Sequence, residues 1–439
     1  MLLRPADHHP TAPVPEHETV GGVQIALVII GVAICLPAFI TAAEIASALG
    51  PRRGLIAVFG GGLVLSVMAC LTGLIGQRLR LSSYMIVLHT FGTRAGRFIN
   101  LLLSLSVLGW YGVLTGMFAR AVLALLGGAA AGPAPVSDAG LVIWSLAGSG
   151  LMVATTIFGF RALDKLSRLA TPLMAALLVY VALLVTRDHA ALLAFSGDDS
   201  LSVGRGLSIT VGGLSVGAAL MPDLARFARR RADVLIAAVL AYGVGYPLVM
   251  ALAGLPAMAT GQKDLLLMIT GVGLGAIAMT ILILSTWTTN AFNLYSCTLV
   301  LGTMFRSQQS WRLTLTAGVI GTILCLGGIG DAVVPYLVLI GAVIPPIAAV
   351  YIADFWIIRR ATGAPGAAAG PGVRWAAVLS WAAGPTIAYW ADWQQLSVTH
   401  IIPLDAAIAA FLVYLVAGTL RRRRTQGGRA ALPGTTSDR

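Results

Sequence analysis

Apolar runs long enough to cross a bilayer alternate along this chain with short polar connections. A helical crossing needs roughly 20 apolar residues. Twelve segments meet that measure: 22–48, 55–77, 96–127, 139–158, 167–186, 205–225, 232–258, 266–300, 313–329, 332–356, 374–391 and 401–420. Several exceed one crossing, which predicts tilt or an extra turn outside the lipid. A further stretch, 80–92 (RLSSYMIVLHTFG), is short and amphipathic, and is predicted to lie at the interface or to enter only part way. Connections are short apart from a small-residue loop at 361–373. The pattern therefore predicts an all-α membrane protein with one transmembrane domain over 22–420. Residues 1–21, polar and proline-rich, read as a disordered lead-in, and 421–439 as a basic tail.

Composition agrees. The 439 residues are 58% hydrophobic and 10% charged, with a mean hydropathy of +0.88, whereas a soluble domain carries about 25% charged residues. The formal charge of +12 follows topology. With twelve crossings, 23 of the 29 lysines and arginines fall on the side that bears both termini. That bias predicts cytoplasmic termini in a multi-pass plasma (inner) membrane protein. The arginine run 421–424 then reads as an anchor on anionic lipid. No basic patch interleaves with aromatics, so nucleic acid is not an expected partner. The expected partners are the lipid bilayer and a small solute, with a monomer as the working unit. The four cysteines lie inside apolar segments without a CxxC, and the six histidines sit in the tail, in loops or near segment ends. Neither a metal cluster nor a disulfide framework is suggested. An enzyme would need paired acids, a histidine cluster or a nucleophile with its base at membrane depth. The pattern holds none of these, and no organic cofactor is expected.

Two features suggest an internal repeat with interrupted helices. The first segment carries Gly31 and Pro37 in its middle. The sixth carries Gly212, Gly213, Gly217 and Pro222, and the two prolines are 185 residues apart. Trp110 of the third segment and Trp287 of the eighth are 177 apart. Offsets near 180 fit a five-plus-five repeat, about 22–186 and 205–356, with 374–420 as additional helices. Glycine is common in this chain, so coincidence is the competing explanation.

The eighth segment poses the main chemical question. LSTWTTNAFNLY, residues 284–295, puts Ser285, Thr286, Thr288, Thr289, Asn290 and Asn293 at membrane depth. A single helix hydroxyl is explained by a bond back to the preceding turn. Six polar groups in nine positions suggest a bound ligand or an aqueous cavity. Thr288 and Thr289 share a face with Ser285. Trp287 reads equally as an interfacial anchor. In the sixth segment the glycines allow either local unwinding, which would expose backbone to a solute, or close helix packing. Trp110 offers either a stacking surface or core volume. A hard cation would be served by carbonyls bared at a break in the first segment together with the hydroxyls of the eighth. A proton would need Glu44, Asp223 or Asp354. A channel would need a lined pore or filter repeat, which is not seen; an uncoupled facilitator is the alternative to a coupled carrier.

The combination STWTTNAFNLY, VGGLSVGAALMPDLARFAR, GWYGV and IPPIAAVYIADFW resembles the cytosine permeases of the nucleobase:cation symporter family, and FGFRALDKLSRLATPLM (158–174) is similar to that family's fourth-to-fifth loop. The resemblance runs through the first ten segments in order. It implies the leucine-transporter-type fold, with discontinuous first and sixth helices, and sodium symport of a nucleobase or related small neutral heterocycle by alternating access. By position it implies sodium at the carbonyls of Gly31, Ile34 and Ser285 and the hydroxyls of Thr288 and Thr289. It implies substrate at Trp110, Cys35, Ser285, Asn290 and the backbone of Gly213, Leu214 and Ser215, and a bending gate at Pro345 and Pro346. Three positions depart from the cytosine pattern: Val107 for a glutamine, Leu214 for an aromatic ring and Ser285 for an asparagine. They make the pocket more apolar.

Overall fold

A computed structural model describes residues 19–127, 139–157, 160–185, 192, 194–261, 275–304, 309–359 and 372–430. Residues 1–18, most of the 361–373 loop, the start of the eighth segment and 431–439 lie outside that set. The described residues are helical on every predicted segment. In chain order the helices are α1 (Gly22–Ala33), α2 (Leu36–Leu79), α3 (Ser83–Phe91), α4 (Thr93–Gly127), α5 (Ala139–Ile157), α6 (Phe160–Val185), α7 (Val203–Ala219), α8 (Met221–Ala225), α9 (Arg231–Ala238), α10 (Tyr246–Thr260), α11 (Gly275–Met304), α12 (Ser310–Leu326), α13 (Val333–Ala353), α14 (Trp375–Trp393) and α15 (Ile402–Ala430). A wide turn, Val239–Gly245, joins α9 to α10 as one crossing, and another, Asp354–Arg359, extends α13. Val20, expected in the disordered lead-in, instead donates to the Phe227 carbonyl at 2.8 Å and accepts from Arg229 at 3.1 Å.

α2 carries two predicted segments in one helix, bent at Gly50 (φ 70°, ψ 179°) before Pro51. Only glycine adopts that backbone cheaply. The bend strips the Ser47 and Ala48 carbonyls of their helical donors, and the N–H groups of Asp198 and Asp199 take their place at 3.0 Å each. On α14, the exposed Trp375 and Trp393 mark the two ends. Eighteen residues of helix rise about 27 Å, close to the hydrocarbon thickness, so the two indoles sit where an interfacial belt belongs.

The helices pack as two groups. α1, α2 and α7 to α10 share one core with α13, while α4, α5, α11 and α12 close around a second. Polar bonds tie the second group together: Tyr111 hydroxyl to Ser149 Oγ (2.8 Å), and Ser149 Oγ to Thr322 Oγ1 (2.6 Å). On the side bearing the termini, α3 bridges the groups with a charged cap at each end. Asp223 accepts from the Ser83 N–H at 2.7 Å. At the other end Arg359 and Arg374 both donate to the His89 carbonyl. Negative charge at a helix start and positive charge at its end are both favourable. Both arginines rest on Asp354, which is 1% exposed and also accepts from Tyr414 at 2.8 Å. Burial first, and then Arg359, lowers the His89 imidazole below its ordinary range. It is thus neutral at pH 7 and adds no charge beside the two guanidinium groups. Asp223 and Asp354, two of the acids considered for proton coupling, are therefore engaged in holding α3.

Candidate functional site

The same local chemistry makes two helix interruptions, one in the first predicted segment and one in the sixth. Pro37 stands at the second position of α2, and Pro222 at the second position of α8. Proline has no N–H to give the carbonyl four residues earlier, which is Ala33 in one case and Ala218 in the other. The breaks fall at Ile34–Cys35 and at Leu220.

The breaks differ in what they leave open. In the second, the Thr72 hydroxyl donates to Ala218 O (2.8 Å) and the Tyr351 hydroxyl to Ala219 O (2.7 Å). In the first, the Cys35 N–H turns to Ala33 O (2.9 Å) where a continuous helix would serve Gly31. The Ala38 N–H turns to Cys35 O (3.0 Å) where it would serve Ile34. The Gly31 and Ile34 carbonyls thus leave the ladder, and among the described residues no protein donor replaces the lost bonds. These two carbonyls are the pair that the resemblance assigned to the cation.

The sixth segment does not unwind at its glycines. α7 is helical through Gly213, Leu214 and Ser215 to Ala219, and its glycines serve close packing. A Cβ on Gly212 would lie 2.2 Å from the Leu337 carbonyl of α13, and one on Gly213 would lie 2.2 Å from the Tyr246 hydroxyl. That hydroxyl bonds Thr210 O at 3.3 Å. The Gly213 backbone, expected to read the substrate's edge, is therefore covered by Tyr246. Ser215 Oγ turns back to Gly212 O (3.2 Å), while Leu214 is half-buried.

α11 has two polar faces. Ser285 and Thr288 are buried and Thr289 is half-buried. Thr288 donates to Ser285 O at 2.8 Å; the Thr289 hydroxyl has no hydrogen bond among the described residues. Asn290, expected at the substrate, belongs to the other face. Its amide donates to Tyr111 O (2.9 Å) and Thr115 Oγ1 (3.0 Å) of α4, and the residue is fully buried. Trp287 donates to Thr155 Oγ1 of α5 at 3.1 Å and packs against the second core. Asn290→Leu should cost about 1–2 kcal/mol of stability, the value of a membrane-buried bond, without changing cation affinity. A melting curve and a cation titration on the purified variant separate the two effects.

Trp110 is half-buried on α4, with Tyr336 of α13 against it. Tyr336, Tyr246, Thr72 and Tyr351 were not singled out from sequence. A phenol within an apolar membrane run needs an acceptor, and that requirement was the available signal for the tyrosines. Pro345 and Pro346 are buried inside continuous α13, without a break at the expected gate. Among the described residues no group of three or more His, Cys, Asp or Glu could hold a metal, so oxygen donors of the backbone and hydroxyls remain for a cation.

Two interrupted helices beside a four-helix group are the arrangement of the leucine-transporter-type fold. The sequence model for permeases for cytosine/purines, uracil, thiamine and allantoin matches residues 13–416, and the chain belongs to that family. It is 28% identical over 417 residues to the cytosine permease of Escherichia coli (strain K12), covering 94% of each chain. Among solved structures it resembles the inward-facing conformation of Mhp1 (TM-score 0.80, 19% identity, 96% of this chain and 95% of that one). It also resembles Mhp1, a nucleobase-cation-symport-1 family transporter, closed with bromovinylhydantoin bound (TM-score 0.78, 19% identity, 95% and 96%). A Na+-coupled sialic acid symporter shares the fold more distantly (TM-score 0.65, 11% identity, 91% and 90%).

Proposed function

We propose that this protein is a sodium symporter that brings a nucleobase or related small neutral heterocycle into the cell by alternating access, with both termini cytoplasmic in the plasma (inner) membrane and a monomer as the working unit. The observation that carries the reading is the contrast between the breaks. The carbonyls of Ala218 and Ala219 in the second accept from protein hydroxyls, whereas among the described residues those of Gly31 and Ile34 gain no such donor. Hard cations take oxygen ligands, and Ser285 O with the hydroxyls of Thr288 and Thr289 would complete the set. No carboxylate is required, because helix ends carry the compensating partial charge. One positive charge moving down 100 mV supplies about 2.3 kcal/mol, enough for more than a tenfold gradient of a neutral solute.

Trp110 gives the heterocycle its stacking face. Val107 and Ser285 offer a polar ligand fewer hydrogen-bonding groups than the cytosine pattern, each worth roughly 1–3 kcal/mol, and Leu214 offers no ring, so cytosine itself is not the favoured substrate. The test is uptake of radiolabelled cytosine, uracil, hypoxanthine, allantoin and hydantoin into proteoliposomes under sodium, potassium or proton gradients. Accumulation above equilibrium only with inward sodium is expected. Equilibration without accumulation would make the protein a facilitator, and accumulation driven by protons alone would overturn the ion assignment.

A further inference from the structure

The part of α2 that runs from the first break to the bend at Gly50, away from the termini, carries a carboxylate on one face. Ala42 and Ala46 lie against Gly254 of α10, and Ile45 and Leu49 against Gly206 of α7. At about 100° per residue, the face opposite those four holds Ile40, Glu44 and Ser47. Of residues 37–49, Ile40 and Glu44 are the two that are half-buried; the others are buried. Glu44 stands about 12 Å along the helix from its start at Leu36 and about 9 Å short of the bend. An ionisable side chain within a membrane span faces the bundle interior or a water-filled space, and marks an ion or substrate path. Ser47, three residues on, shares that face. It is 5% exposed, and its Oγ has no hydrogen-bond partner among the described residues. A buried hydroxyl without a partner is costly. Arg53, just past the bend, is engaged elsewhere: it pairs with Asp199 at 2.6 Å and donates to the Ser196 carbonyl at 3.2 Å.

We propose that Glu44 and the Ser47 hydroxyl form an outer site for a monovalent cation, which the coupling ion occupies before it reaches the first break. The carboxylate supplies the full negative charge that the break lacks, and the hydroxyl supplies an oxygen that needs a partner. Divalent ions take six or more oxygens, several of them from carboxylates. Among the described residues no group of three or more His, Cys, Asp or Glu could hold one. One carboxylate and one hydroxyl suit a single charge, with water completing the shell. A neutral heterocycle has no positive charge for Glu44 to meet, so the occupant is the ion and not the substrate. The face leads back past Ile40 to the break, where the Gly31 and Ile34 carbonyls have left the ladder. An ion drawn to Glu44 is thus concentrated about 12 Å from the start of α2. That this ion goes on to drive transport rests on the sodium reading above; the outer site itself does not.

The test is equilibrium binding of radioactive sodium to the purified protein, with N-methylglucamine as the balancing cation and no heterocycle present. The parent is expected to hold two ions per chain. Glu44→Gln, which keeps the shape and removes the charge, should hold one, and Glu44→Asp, which restores the charge, should hold both. Ser47→Ala should weaken the outer ion by about threefold or more. Thr289→Ala should lose the other ion, so the two sites are stripped separately. Sodium binding in Glu44→Gln equal to the parent's in number and affinity overturns the outer site, while Thr289→Ala still decides the break. Loss of an ion in Glu44→Gln with none lost in Thr289→Ala keeps the outer site and overturns the role given to Thr289. A parent that binds no sodium overturns both. If Glu44→Gln does not fold, Ser47→Ala decides, since its hydroxyl makes no bond to lose; parent-like affinity for both ions in that variant overturns the outer site.

Discussion

Thr289→Ala is expected to lose sodium-dependent uptake at the sodium concentrations that drive the parent and to leave the fold intact. The side chain is half-buried and makes no hydrogen bond among the described residues, so its removal breaks no packing network. Thr288 differs, because its hydroxyl already bonds Ser285 O. A hydroxyl serving a charged partner is worth about 1.5–3 kcal/mol, so sodium affinity should fall between about tenfold and a hundredfold. Thr289→Ser, which restores the oxygen, should recover most of it. Initial uptake rates against sodium concentration read both variants. A sodium dependence in Thr289→Ala equal to that of the parent would remove this residue from the ion site.

The second large effect is at Trp110. Trp110→Ala should weaken heterocycle binding by about 1–3 kcal/mol, the range for loss of one stacking ring. Sodium binding measured without substrate should change far less. Trp110→Phe keeps a smaller ring and should fall between the two. Calorimetric titration of the same ligand into each variant decides the matter. Parent-like affinity in Trp110→Ala would leave the indole with only its contact to Tyr336.

The helical character of the apolar segments and the two interruptions were legible because lipid imposes a length on each apolar run and proline imposes a break. Pro37 and Pro222 marked both interruptions, since neither can donate to the turn before it. The glycines of α7 allowed unwinding or close packing; Gly212 and Gly213 are places where α13 and Tyr246 come close, and a sequence does not show which helix lies opposite. The polar run of α11 is more than one surface. Its spacing holds two: Ser285, Thr288 and Thr289 on one, and Thr286, Asn290 and Asn293, at intervals of four and three, on another. Asn290 turns to α4 because Tyr111 and Thr115 present acceptors there, which could be known only once the helices were packed. Tyr336 was hidden for the same reason, as its partners Ser106 and Gly109 are more than two hundred residues away.

Sodium coupling depends on carbonyls of the first break receiving the cation. The most direct measurement is the melting temperature of the purified protein as sodium replaces potassium at constant ionic strength, with no heterocycle present. An ion that binds only the folded state raises stability in proportion to the logarithm of its concentration above Kd. The expected result is a melting temperature that climbs with sodium in the parent and stays flat in Thr289→Ala. A parent indifferent to sodium, or a variant that climbs equally, would contradict it.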